Sequence, residues 1–116
     1  MSRILRTEPS DLFSRAVEYH GFVYTQGLVP RNADAGVAAQ VQDVLAQIDA
    51  LLELHGTDKT RLLTAQIWLA DIGDRAALNE AWSAWLPANG APARALVQAI
   101  LADPRWRVEI MITACK

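Results

Sequence analysis

Two ionisable residues stand where a strand pattern would place apolar ones. Arg94 lies within Ala93-Arg94-Ala95-Leu96-Val97-Gln98-Ala99-Ile100-Leu101, and Glu109 within Arg107-Val108-Glu109-Ile110-Met111-Ile112-Thr113-Ala114-Cys115. Side chains alternate between the faces of a strand, so Arg94 shares its face with Leu96, Gln98 and Ile100. Glu109 shares its own with Met111 and Thr113, opposite Val108, Ile110, Ile112 and Ala114. Charges in such company are costly unless paired or ligated. A guanidinium can clamp a carboxylate through two parallel hydrogen bonds, and a carboxylate can orient water or move a proton. Together they suit hydrolysis of a small, already reactive acid. The same pattern also fits a structural ion pair or a charge at a strand end, and both readings stand at this level.

Other chemistries find little support in the residue inventory. The two histidines, His20 and His55, fall in a turn and at a helix end, and Asp71 and Asp74 read as turn and cap residues before metal ligands. The sequence contains no Gly-x-Ser-x-Gly elbow, phosphate loop, dinucleotide fingerprint or paired-cysteine site. The single cysteine, Cys115, excludes an intrachain disulfide and reads as structural. A formal net charge of −2 lacks the basic stripe of a nucleic-acid binder. No apolar run approaches the ~18 to 20 residues that cross a membrane, and Met1 to Arg6 have no signal-peptide core, so the expected location is cytoplasmic.

The two charged strands need elements to position them. Arg15 to Tyr19 and Phe22 to Gln26 are rich in β-branched and aromatic residues around His20-Gly21, which predicts a hairpin with a two-residue turn. From Ala35 to His55 the residues Val37, Val41, Val44, Leu45, Ile48, Leu51 and Leu52 recur at helical spacing, with Asp34 as a cap candidate and Gly56 just past the end. A strand over 62–69 follows, read with Leu63, Ala65, Ile67 and Leu69 on one face and Leu62 and Trp68 on the other. A second helix runs to about Leu86, with Leu78, Ala81, Trp82, Trp85 and Leu86 on its apolar side and Pro87 as its stop.

The order hairpin, helix, strand, helix, strand, strand predicts one α+β domain over residues 1–116: a mixed sheet with two amphipathic helices on one face. The uncovered face would carry Leu62, Trp68, Leu96, Ile100 and Met111. That is more apolar surface than a monomer leaves in water, and it predicts packing against copies of the same chain.

Several stretches, in order, resemble one known family. They are Gly21-Phe22-Val23-Tyr24-Thr25-Gln26-Gly27-Leu28-Val29-Pro30, the Gln40-containing helix, Leu78-Asn79-Glu80, Pro92-Ala93-Arg94 and Val108-Glu109-Ile110. The sequence is similar, from about residue 12 onward, to the Rid family of RidA and YjgF, the reactive-intermediate imine deaminases. The resemblance implies a chorismate-mutase-like fold, a homotrimer with clefts between subunits, and no cofactor. It places Arg94 where the family binds the carboxylate of a 2-imino acid such as 2-iminopropanoate, the tautomer of 2-aminoacrylate. Glu109 stands where the family holds the attacking water, and the products would be a 2-keto acid and ammonia.

Phe13, Gln26, Gly27, Asn79 and Leu96 fall at cleft positions by the same resemblance. Phe13 replaces an archetypal tyrosine, Gln26 a serine and Leu96 a cysteine, which changes the pocket's shape and polarity and suggests a divergent subgroup. Two other functions belong beside the deaminase. One is a non-catalytic binder or sensor of small carboxylates such as 2-keto acids, keeping the Arg94 clamp. The other, RNA cleavage or translational inhibition, has been attached to some relatives and is disfavoured by the acidic charge balance. Neither a nucleic-acid nor a membrane partner is expected.

Overall fold

The computed structural model describes residues 3–116, so Met1 and Ser2 of the N-terminal stretch discussed above lie outside the described residues. Strand β1 (Leu5–Thr7) pairs antiparallel with β2 (Ala16–Tyr19), and β2 with β3 (Phe22–Thr25). The β2–β3 turn places His20 at φ 51° and Gly21 at φ 79°, the double positive φ of a two-residue hairpin turn. Helix α1 (Val37–Leu54) leads into β4 (Leu62–Leu69), then α2 (Arg75–Trp85), β5 (Ala93–Gln98) and β6 (Val108–Cys115). The strand order is β1-β2-β3-β6-β4-β5. β4 and β5 are the parallel pair, joined by α2 as the crossover such a pair requires. β6, last in sequence, lies in the middle of the sheet.

Both helices cover one face. Val41, Val44, Ile48 and Leu52 of α1 and Leu78 and Trp82 of α2 are buried with Val23, Ile67, Leu69, Val108, Ile110 and Ile112 of the sheet. Two buried glutamines replace apolar contacts where α1 meets loops. Gln40 donates to the carbonyls of Ala33, Ala35 and Arg105 and accepts from the Arg107 N–H, so its amide is satisfied at both ends. Gln47 donates to the Val29 carbonyl at 2.8 Å and accepts from Arg15 Nη2 at 3.0 Å, fastening the segment after β3 to the helix.

The structure departs from the sequence reading at several points. β1 was not foreseen, because three residues at a sheet edge are too few to show alternation. Gly36, not Asp34, caps α1, and Asp34 instead pairs with Arg105. Asp74 is the N-cap residue of α2 as expected, but its carboxylate takes two hydrogen bonds from Arg107 and none from the helix N–H groups. β5 ends at Gln98, whose side-chain oxygen accepts from the Ile72 N–H, so Ile100 lies beyond the strand and is fully exposed.

The expected uncovered face is also corrected. The β4–β6 register shifts between Leu62 and Thr64, and this irregularity turns Leu62 into the core and leaves Leu63 exposed. Leu96 pairs in register with Ile67, which puts it on the helix side, where it packs against the core. Trp68 and Met111 do lie on the open face, joined there by Phe22, Tyr24 and Val97, each of the last three more than 40 % exposed. The face that the helices leave open is therefore apolar and aromatic, with different members from those expected.

Candidate functional site

Arg94 sits on an edge strand with its guanidinium exposed at the rim of the sheet rather than buried among apolar side chains. The first turns of α2 position it. Asn79 Oδ1 accepts a hydrogen bond from Arg94 Nη1 at 2.9 Å, and the guanidinium carbon lies 5.9 Å from the centre of the Trp82 ring. Asn79 and Trp82 are three residues apart on one helix face, which is why both reach the same group. Nη1 is held, and on this exposed guanidinium the Nε–Nη2 edge is the two-donor fork whose geometry matches a carboxylate.

Glu109 is set by a local irregularity between β3 and β6. Tyr24 pairs with Thr113 and Leu28 bridges to Ile110, so Thr25, Gln26 and Gly27 on one side face only Met111 and Ile112 on the other. One extra residue is accommodated as in a β-bulge, and the Thr25 hydroxyl accepts the Ile112 N–H that the ladder would otherwise leave unpaired. Gly27 then presses against the Glu109 carboxylate so closely that an added Cβ would overlap it. Glu109 is half-buried, and desolvation raises its pKa above the usual carboxylate value. The Gln26 N–H extends the hairpin ladder by donating to the Arg15 carbonyl, and Phe13 stands two residues before Arg15 with 60 % of its surface exposed.

The candidates thus form two groups. Arg94 pairs in register with Ala65 and so belongs to the helix-covered side, with Asn79 and Trp82, and with Leu96 further along the same strand. Glu109 pairs with Trp68 on the open face, with Gly27 against it. Two strand spacings of ~4.8 Å and three residues of ~3.3 Å each put the Arg94 and Glu109 Cα atoms about 14 Å apart. Their side chains also leave the sheet in opposite directions. Among the described residues neither takes part in an ion pair, so the two charges do not neutralise each other within one copy.

Sequence reasoning placed Trp82 only in the core, although its spacing from Asn79 was the available signal. It also missed a polar cluster at the far end of α1. His55 Nδ1 lies 2.8 Å from Glu18 Oε1, His55 Nε2 lies 2.9 Å from Thr7 Oγ1, and Lys116 Nζ donates to Glu18 Oε2 at 3.2 Å. The His55 hydrogen bond, and after it Lys116, hold the Glu18 carboxyl below its ordinary pKa. This cluster ties β1, β2, the end of α1 and the C-terminus together. Its members are too far apart in the chain for any spacing to announce it.

Known proteins bear on the identity of the chain. Residues 4–116 match the model of the family described as Endoribonuclease L-PSP. The sequence is 45 % identical over 111 residues to the RutC family protein YoaB of Escherichia coli (strain K12), covering 96 % of each chain. The chain belongs to the YjgF/Rid family. A crystal structure of another YjgF family member, NMB1025 of Neisseria meningitidis, matches this Rid-family fold with a TM-score of 0.92 at 47 % identity, over 98 % of this chain and 95 % of that one. A more distant relative, the 2-iminobutanoate/2-iminopropanoate deaminase of Rattus norvegicus, is 28 % identical over 104 residues, 84 % of this Rid-family chain and 75 % of its own length.

Proposed function

We propose that the chain hydrolyses reactive 2-imino acids and their enamine tautomers to 2-keto acids and ammonia, in clefts completed between copies in a homotrimer. The observation that carries the reading is the division of the chemistry across one sheet. An exposed guanidinium lies on one side, and a half-buried carboxylate lies on the other, beside an apolar face that no helix covers. One copy cannot bring both to a small substrate. A second copy seated against the open face supplies the missing half and removes that face from water. Membership of a family that includes a 2-imino acid deaminase supports the same chemistry.

In this reading Arg94 takes the substrate carboxylate through Nε and Nη2, with Asn79 and Trp82 fixing the guanidinium plane. Glu109 of the facing copy accepts a hydrogen bond from water and aims its oxygen at C2. As the C2–O bond forms, the C=N π electrons move to nitrogen and give a carbinolamine. A proton passes from oxygen to nitrogen by way of Glu109. The C2–N bond then breaks, its electrons leave on ammonia, and C2=O closes. Water enters and ammonia leaves, so the step balances without a further reactant. A carboxyl with a raised pKa exchanges protons more readily near neutral pH than an ordinary one. Positioning and electrostatics supply the acceleration, since the imine is labile by itself.

The test generates imines with an amino-acid oxidase in the presence of semicarbazide and compares wild type with Arg94→Ala and Glu109→Gln. Suppressed semicarbazone formation by wild type, lost in both variants, is the expected result. Binding of 2-keto acids with no effect on trapping would replace the enzyme by a carboxylate sensor. RNA cleavage is the lesser reading, because a chain of net charge −2 offers a polyanion little attraction.

A further inference from the structure

Beside Arg94, the end of α2 and the loop to β5 border an open cavity of ≈ 780 Å³. This falls within the ~300–1,000 Å³ of pockets that hold drug-sized ligands, and it is several times what a three-carbon acid fills. Trp82, Leu86, Pro87 and Pro92 supply apolar lining, Asn79, Ser83 and Asn89 polar lining, and among the described residues Arg94 is the only charged one along it. Trp82 is buried and tilted against Trp85 with ring centres 5.4 Å apart, so the aromatic wall is held in place. The rim is equally fixed. The Gly90 N–H donates to the Pro87 carbonyl at 3.1 Å, and two prolines bracket the loop.

We infer that this cavity receives the substrate's side chain and selects 2-imino acids carrying a bulky apolar group, above all an aromatic one. The inference rests on the proposed deaminase site, because Arg94 must hold the carboxylate for the side chain to enter. Once that carboxylate occupies the guanidinium, the lining offers no charge to a second ionised group. An anionic or cationic side chain would give up part of its hydration for hydrogen bonds from Asn79, Ser83 and Asn89 at best, with no countercharge. An apolar ring exchanges water for Leu86, the proline faces and the small part of Trp82 that reaches the surface.

Stable 2-keto acids report on the cavity without depending on turnover. Calorimetric titration of the full chain is expected to show phenylpyruvate binding at least about tenfold more tightly than pyruvate or 2-oxoglutarate. Arg94→Ala should abolish binding of all three. Ala91→Trp fills the cavity from its exposed rim and should cut the phenylpyruvate-to-pyruvate affinity ratio about tenfold. Pyruvate binding as tightly as phenylpyruvate, or a ratio unmoved by Ala91→Trp, would overturn the inference while leaving the deaminase reading intact. The expected binding order with no imine hydrolysis would uphold the cavity's selectivity and remove the deaminase instead.

Discussion

If Arg94 of one copy and Glu109 of its neighbour complete a site, two inactive variants should repair each other. Arg94→Ala keeps its carboxylate and Glu109→Gln keeps its guanidinium, so an interface with the second variant's Arg94 opposite the first variant's Glu109 is chemically whole. Equal, freely mixed copies put both variants into about three quarters of closed trimers, each with one whole interface in three. About a quarter of wild-type activity should return. The basis is geometric, since the residues lie on opposite sides of one sheet with Cα atoms about 14 Å apart. The assay is semicarbazide trapping on co-refolded or co-expressed mixtures, with separately assembled variants mixed just before measurement as the control. Each parent alone should fall by at least about a hundredfold. Activity no greater than the parents' mean, with trimers shown to exchange subunits, would refute the shared-site geometry.

Other perturbations follow from the same contacts. Gly27→Ala drives a Cβ onto the Glu109 carboxylate and should lower kcat/KM for imine hydrolysis about tenfold to a hundredfold with the fold retained, checked by trapping kinetics and circular dichroism. Asn79→Ala frees Arg94 Nη1 and should raise KM about tenfold with kcat little changed, as expected for a residue that orients a binding group. His55→Ala removes the main partner of Glu18 and should cost about 1–2 kcal/mol in denaturant unfolding at pH 7. Because the folded Glu18 pKa lies below its ordinary value of 4.5, that contribution is complete above pH 4.5 and is lost as pH falls through the depressed value. The wild-type advantage should narrow in the same window. For Glu109 the sign reverses: its folded pKa is raised, so ionisation costs stability as pH rises through 4.5. Glu109→Gln should then melt at or above the wild-type temperature at pH 7, with the difference gone below pH 4; a lower melting temperature at neutral pH would contradict the desolvation assigned to this carboxyl.

Local signals in the sequence determined much of this protein. The two helices follow from 3.6-residue periodicity, the hairpin from His20-Gly21, and the faces of β6 from alternation, because each depends on neighbours a few residues apart. Arg94 and Glu109 stood out for the same reason, as charges that break an apolar pattern. Tertiary structure alone decided the rest. The register shift after Leu62 exchanged the burial of Leu62 and Leu63, and the pairing of β5 with β4 put Leu96 on the core side. The extra residue between Tyr24 and Leu28 brought Gly27 against Glu109. Thr7, Glu18, His55 and Lys116 met only when β1, the end of α1 and the C-terminus converged. Most decisive is that Arg94 and Glu109 leave the sheet in opposite directions. Alternation fixes a side chain's face only relative to its own strand, and which face two strands share is set by pairing between residues distant in sequence.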